Sequence, residues 1–209
     1  PGELVSAALV DDDSELMLVS RNGQAVRFLA STDQLRPMGR ATSGVTGMRF
    51  RDDDELLAMD VIGPDSFLVT VTDGGTAKRS DIHRVNPDGN LDYRRTNRGG
   101  LGVRAARLPD DRGELVGALM VGAGDEVLVV MERGKVVRSM VEEIPVHGRD
   151  ATGVILAKPD PGDRILAVAR NIERSLGDDA AEDEVTETAD HGSADSAGAE
   201  AATVVPEQE

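Results

Sequence analysis

The chain has 209 residues, 39% of them hydrophobic, which is enough apolar matter for a folded core, and a formal net charge of -16. No apolar run approaches the roughly 20 residues that cross a bilayer, and no basic-then-apolar stretch opens the chain as a secretory leader would, so the default location is the cytoplasm. The absence of cysteine removes disulfides, zinc–thiolate clusters and thiol nucleophiles together.

The charge is unevenly placed. Residues 173–209 hold twelve acidic residues and one Arg, a net of -11, which leaves only -5 on residues 1–172. The body is nearly balanced, and its basic residues are Arg apart from Lys78, Lys135 and Lys158. Arg presents a planar fork suited to phosphate, although an Arg-rich, Lys-poor chain also reflects a high-GC genome.

Taken in order, the chain is a repeat. It opens at Pro1 without an initiating Met and reads as a piece of a longer protein. Residues 1–10, Gly2-Glu-Leu-Val-Ser-Ala-Ala-Leu-Val10, closely match 113–121 and are expected to be the last strand of a preceding unit. Three units follow, at 11–62, 63–121 and 122–172. They open on Glu15-Leu-Met-Leu-Val-Ser-Arg-Asn-Gly23, Ser66-Phe-Leu-Val-Thr-Val-Thr-Asp-Gly-Gly75 and Glu126-Val-Leu-Val-Val-Met-Glu-Arg-Gly134. A short apolar run, a Gly turn and a second run predict a β-hairpin. The runs 16–19, 67–71 and 127–131 are apolar at consecutive positions, so both faces are expected to be buried. Each unit then carries Arg-x-x-x-Gly-Val, at 40–45, 98–103 and 149–154, and ends on an apolar strand at 55–62, 114–121 or 164–170. The stretch after the loop Gly is expected as the unit's third strand and the closing stretch as its fourth.

An interval of about 50 to 60 residues with no helical pattern, four strands per unit, and apolar faces that only stacking can cover predict an all-β, propeller-like array of blades. The middle unit is lengthened around Asn86 to Asn90. Residues 173–209 are rich in Ala, Asp, Glu, Ser, Gly and Thr, and are expected to be a disordered acidic tail, because they hold too little apolar area to offset the entropy of ordering.

The near-absence of aromatics, with no Trp, one Tyr and three Phe, does not suit WD40 or kelch blades. The repeat instead resembles the C-terminal domain of DNA gyrase A and its paralogue in topoisomerase IV. The likeness rests on Asp73-Gly-Gly-Thr-Ala-Lys-Arg79, Arg98-Gly-Gly-Leu-Gly-Val103 and the phrase Gly-Glu-Leu-Val-Gly-Ala-Leu at 113–119, and it spans residues 3–171. It implies a β-pinwheel, a disc whose blades exchange strands and whose basic rim bends duplex DNA without sequence specificity. It also implies a parent enzyme in which gyrase A and gyrase B form a heterotetramer, and which uses ATP and Mg outside this chain to introduce negative supercoils. Three blades correspond to the C-terminal half of such a disc. The family's heptapeptide Gln-Arg-Arg-Gly-Gly-Lys-Gly is nearest to Thr96-Asn97-Arg98-Gly99-Gly100-Leu101-Gly102, which lacks the Gln, the first Arg and the Lys. Either this is a degenerate copy or the true box lies ahead of Pro1.

Candidate DNA-binding residues are Arg40, Arg98 and Arg149, at one repeat position, with Arg94 and Arg95 beside the middle loop and the hairpin residues Arg27, Lys78, Arg79, Lys135 and Arg138. Two roles compete for the recurring arginines: contact with phosphate, or anchoring of the turn through backbone carbonyls. No catalytic residue, metal site or cofactor is expected in this chain. Tyr93 reads as a surface or packing residue. The carboxylates of 11–15 and 52–55 read as turn formers, because they lack the spacing of a Ca²⁺ loop. The tail is expected either to screen the basic rim or merely to solubilise. A different class of function, a propeller-like scaffold that docks proteins through the tail, and a topoisomerase IV paralogue are the alternatives.

Overall fold

The computed structural model describes residues 3–171. Three hairpins organise it: β1 (Glu15–Ser20) with β2 (Gln24–Leu29), β4 (Phe67–Thr72) with β5 (Thr76–Asp81), and β8 (Glu126–Met131) with β9 (Val136–Met140). Each turn holds a glycine in the left-handed region, with φ of 76° at Gly23, 88° at Gly75 and 87° at Gly134. A side chain there costs about 1–2 kcal/mol, which accounts for the recurrence of Gly. The closing strands β3 (Leu56–Ile62), β7 (Leu115–Val121) and β11 (Ile165–Arg170) pair antiparallel with β1, β4 and β8. Because β7 packs against both β3 and β11, the closing strands stand together and the hairpins radiate outward from them.

The outermost strands correct one expectation. The stretches after Gly102 and Gly153 do form strands, β6 (Val103–Arg104) and β10 (Val154–Ile155), but each joins the preceding sheet instead of its own. The sheets are ordered β3-β1-β2-β6, β7-β4-β5-β10 and β11-β8-β9. Val103 and Arg104 pair with Ala25 and Gln24, and Val154 and Ile155 pair with Ala77 and Thr76. Reading the strands as contiguous units missed this, because sequence adjacency says nothing about which edge is free, whereas the exchange is the one that the resemblance implies. The third sheet has three strands, since among the described residues no later repeat supplies a fourth. Residues 45–46, equivalent to β6, form no strand, since among the described residues no earlier sheet offers them an edge. Residues 3–10, read as a closing strand, lie outside every sheet, with Leu4 83% and Leu9 99% exposed.

The core sits between sheets. Met17, Val19 and Ala25 meet Leu68, Ile82, Ala118 and Met120 between the first and second. Val69, Val71, Ala77 and Val121 meet Val127, Val129, Met131 and Ile165 between the second and third. Leu16, Leu18, Val26 and Phe28 are covered on the remaining face of the first sheet by Met48 and Leu35. Consecutive burial along β1 and β4 therefore follows from neighbours on both faces. In β8 burial alternates instead, Val127 and Val129 inward and Leu128 and Val130 half-exposed, because one face has no sheet against it. The added segment in the middle unit is a short hairpin, with Val85 bridged to Leu91 and Asn86 Oδ1 accepting from the amides of Asp88 and Asn90.

No helix among the described residues is long and apolar enough to cross a membrane. The expected acidic tail, 173–209, lies outside the described residues.

Candidate nucleic-acid interface

The loops carrying Arg98 and Arg149 lie where a strand leaves its own repeat for the preceding sheet. Gly102 (φ 76°) and Gly153 (φ 101°) make the crossing, and a Cβ at these positions would stand 2.2 Å from the Ala25 carbonyl oxygen and 2.4 Å from that of Ala77. Only glycine fits both the dihedral and the gap. The loops are then tied down by main-chain bonds: Thr96 N–H donates to Arg27 O (2.8 Å), Gly99 N–H to Gly47 O (2.6 Å), and His147 N–H to Arg79 O (2.8 Å).

The recurring arginines finish the tie. Arg98 donates through Nε to the Gln34 carbonyl (2.6 Å) and through Nη1 to the Thr46 carbonyl (3.1 Å). Arg149 Nη1 donates to the Arg104 carbonyl, the equivalent of Thr46 one repeat later, at 3.4 Å, and also faces Asp150 Oδ1 at 3.4 Å. The guanidinium at this position is thus a staple from one repeat to the repeat before it, which is the anchoring role, and both side chains are half-buried. Arg40, the first of the series, is exposed and has no hydrogen bond or ion pair among the described residues.

Two hairpin candidates are withdrawn by burial. Arg27 is 7% exposed; it forms a salt bridge with Glu15 and donates to the Ile82 carbonyl at 3.0 Å. Lys78 is fully buried, its Nζ donating to the carbonyls of Gly148 (3.0 Å) and Arg149 (2.5 Å). Its counterparts in the other hairpins are Val26 and Val137, so the ammonium replaces an apolar contact and clasps the loop of the next repeat. Burial lowers it to about 8, with Asp150 opposing and Arg149 adding to the shift. The hairpin pattern predicted solvated cations because alternation alone cannot reveal that the next repeat's loop covers this edge. Arg79 is half-buried, its guanidinium 4.8 Å from the centroid of Phe67.

The remaining candidates face solvent. Arg94 and Arg138 are exposed without a carboxylate partner among the described residues; Arg95 pairs with Glu15 (3.0 Å) and Lys135 with Asp160 (3.9 Å). Arg94 borders a cleft of about 260 Å³ beside the degenerate box, lined also by Thr96, Asn97 and Gly100 to Val103. The sequence reading missed Arg104, on the donated strand β6, and Arg107, just after it. Both are exposed and without an ion pair among the described residues. Arg104 is basic in one repeat only, so a search for recurring positions passes over it; Arg107 does recur, as Arg49 and Lys158 five residues past the loop glycine, and both of those are exposed too.

Tyr93 is a packing residue: it is 1% exposed, its hydroxyl reaches the Ala105 carbonyl at 3.4 Å, and burial raises it to about 12. The acidic runs serve turns in part, with Asp54 Oδ1 accepting from the amides of Asn22 and Glu55, whereas Glu15 and Glu55 pair with Arg27 and Arg21. Among the described residues no three His, Asp or Glu side chains are placed to hold a metal ion.

Comparison with known proteins agrees with this architecture. The family described as DNA gyrase C-terminal domain, beta-propeller, matches residues 14–62, 91–121 and 125–171. DNA gyrase A of Streptomyces coelicolor is 45% identical over 90% of the chain and 22% of its own length, and that of Mycobacterium tuberculosis H37Rv is 45% identical over 87% and 20%. The chain thus spans about a fifth of these curated relatives. A solved gyrase A C-terminal domain superposes with a TM-score of 0.66 at 26% identity, covering 77% of this chain and 52% of that one. The C-terminal domain of a DNA topoisomerase IV, at 22% identity, shares the fold with a TM-score of 0.73, covering 86% and 54%. Three stacked hairpins, two of which accept a strand from the following repeat, and a family match over most of the described residues place this chain in the DNA gyrase C-terminal domain family.

Proposed function

We propose that this chain binds and bends duplex DNA along the outer rim of its blades, without reading bases, as the C-terminal part of a DNA gyrase A protein. In that reading it supports ATP-dependent negative supercoiling by a parent assembly with gyrase B, in which ATP and Mg act on other domains. The carrying observation is that exposed arginines without carboxylate partners among the described residues, Arg40, Arg94, Arg104, Arg107 and Arg138 among them, lie on outer strands or on the connections beside them. Neutralising phosphates needs unpaired cations on a convex edge, and it supplies most of the affinity of a wrapping protein. The stapling of Arg98 and Arg149 moves the burden of phosphate contact from the recurring position to these neighbours. The gyrase family match and the 45% identity to a DNA gyrase A protein support the gyrase reading.

Salt-dependent duplex binding, with circle closure for bending, tests it. About six phosphate contacts give a log–log salt slope near -5, and a slope shallower than about -2 or achiral bending overturns the proposal. Repeating the titration without residues 175–209 decides whether the tail competes with DNA for the rim.

A further inference from the structure

Past each crossing strand the chain steps from a buried residue to an exposed cation: Met48 to Arg49, Ala106 to Arg107 and Ala157 to Lys158. The step is built alike at both junctions between sheets. Ala105 and Ala106 N–H donate to the Gly23 carbonyl at 2.7 and 3.3 Å, and Leu156 and Ala157 N–H donate to the Gly75 carbonyl at 2.9 and 3.4 Å. Two amides on one carbonyl, ending on a buried alanine, pin the chain to the hairpin turn of the preceding sheet and leave the next side chain outside. The Arg107 amide is tied to the following repeat as well, donating to the Ala151 carbonyl at 3.4 Å. The Arg49 amide makes the same bond one repeat earlier, to the Gly100 carbonyl at 2.9 Å. Arg107 stands on the connection from the first sheet to the second and Lys158 on that from the second to the third, so both are exposed with sheets present on each side of their junction. Three carboxylates beside this step are held by other cations: Asp150 by Arg149, Asp111 by Arg112 and Asp160 by Lys135. Among the described residues Arg49, Arg107 and Lys158 have no ion pair and no side-chain hydrogen bond.

The geometry points to Arg49, Arg107 and Lys158 as a row of phosphate contacts, one at each step between sheets, that sets the track of duplex DNA along the hairpin-turn side of the rim. The row rests on the DNA-binding reading above and adds to it which cations the backbone holds in place. A duplex that follows equivalent sheets meets equivalent positions, and of the three positions that are basic in every repeat this one alone faces solvent throughout. At the loop position Arg98 and Arg149 donate to carbonyls, and at the hairpin position Arg27 is buried. Main-chain bonds to both neighbouring repeats fix the Arg107 backbone, so a phosphate contact there orders one side chain and no loop. The change from Arg to Lys at the third step keeps the role, because a phosphate accepts an ammonium as a point charge where no bidentate fork is required.

Salt titrations of linear-duplex binding with the 209-residue chain test the row. The triple variant Arg49→Gln, Arg107→Gln, Lys158→Gln keeps the melting curve, since all three side chains are exposed. Its log–log salt slope is shallower by about 3, one for each phosphate contact, and circle closure is lost. A control that removes the same charge from carboxylate-paired arginines, Arg21→Gln, Arg112→Gln, Arg164→Gln, keeps the slope of the unsubstituted chain. Lys158 gives a second reading without any substitution, because the other lysines are only Lys135 and the buried Lys78. Bound duplex slows the acylation of Lys158 by an amine reagent several-fold, followed by mass spectrometry of its peptide. An unsubstituted chain with a slope shallower than about -2 sinks the DNA-binding reading and the row with it. A slope near -5 that the row variant retains, an equal fall in the control, or unslowed acylation of Lys158 overturns the row and leaves DNA binding standing.

Discussion

The Lys78 ammonium lies 2.5 Å from the Arg149 carbonyl oxygen, so a buried cation of one hairpin holds the loop that the next repeat lays across it. Burial lowers Lys78 from 10.5 to about 8. Between those values the unfolded chain binds a proton that the folded chain has released. Stability therefore rises with pH from about 8 upward, and the cost of burying the charge is fully present below 8. Tyr93, raised to about 12, works the other way above pH 10, where its unfolded form ionises first. Denaturant titrations between pH 8 and 10 are expected to show a rise in stability that Lys78→Met abolishes.

Arg98 and Arg94 are separated by role although four residues apart. Arg98→Ala leaves the carbonyls of Gln34 and Thr46 without their donor and is expected to cost about 1–3 kcal/mol of unfolding free energy. Arg94→Ala removes an exposed cation with no partner among the described residues. It is expected to leave the melting curve unchanged and to reduce the salt slope of duplex binding by about 1.

Arg27→Ala breaks a buried ion pair and strands Glu15, whose side chain is 18% exposed. The expected loss is about 3–5 kcal/mol, visible as a fall in denaturation midpoint at pH 7. Arg95, 56% exposed, also pairs with Glu15 and softens the loss, so Arg95→Ala in the Arg27→Ala background should destabilise further.

Gly44 and Gly102 share a dihedral, with φ of 77° and 76°, but not a neighbourhood. Gly44→Ala should cost only the local strain, about 1–2 kcal/mol. Gly102→Ala must in addition push a methyl into the Ala25 carbonyl at 2.2 Å, detaching β6. Amide exchange at Ala25 is expected to quicken in the second variant alone, while that at Gln24, whose N–H donates to Ser20 Oγ, is not.

Much of the architecture was legible in residue order. The triple Gly turn, the apolar runs 16–19 and 67–71 and the closing strands carry their own periodicity, because hairpins are made of neighbours and burial on both faces leaves an unbroken apolar string. The candidate site was legible only in part. Arg27, Lys78 and Arg98 look like rim cations in sequence, since a cation bonded to a distant carbonyl and one facing water are the same letter.

The sequence by itself determined the hairpins, their turns and the repeat, all set by contacts within a few residues or by a pattern that recurs. Only the tertiary structure decided to which sheet Val103 and Val154 belong, which arginines are staples and which are free, and that a lysine takes a valine's place between repeats. Those outcomes depend on pairing between segments some 70 residues apart, as Lys78 is from Gly148, where edge hydrogen bonds and desolvation select the partner.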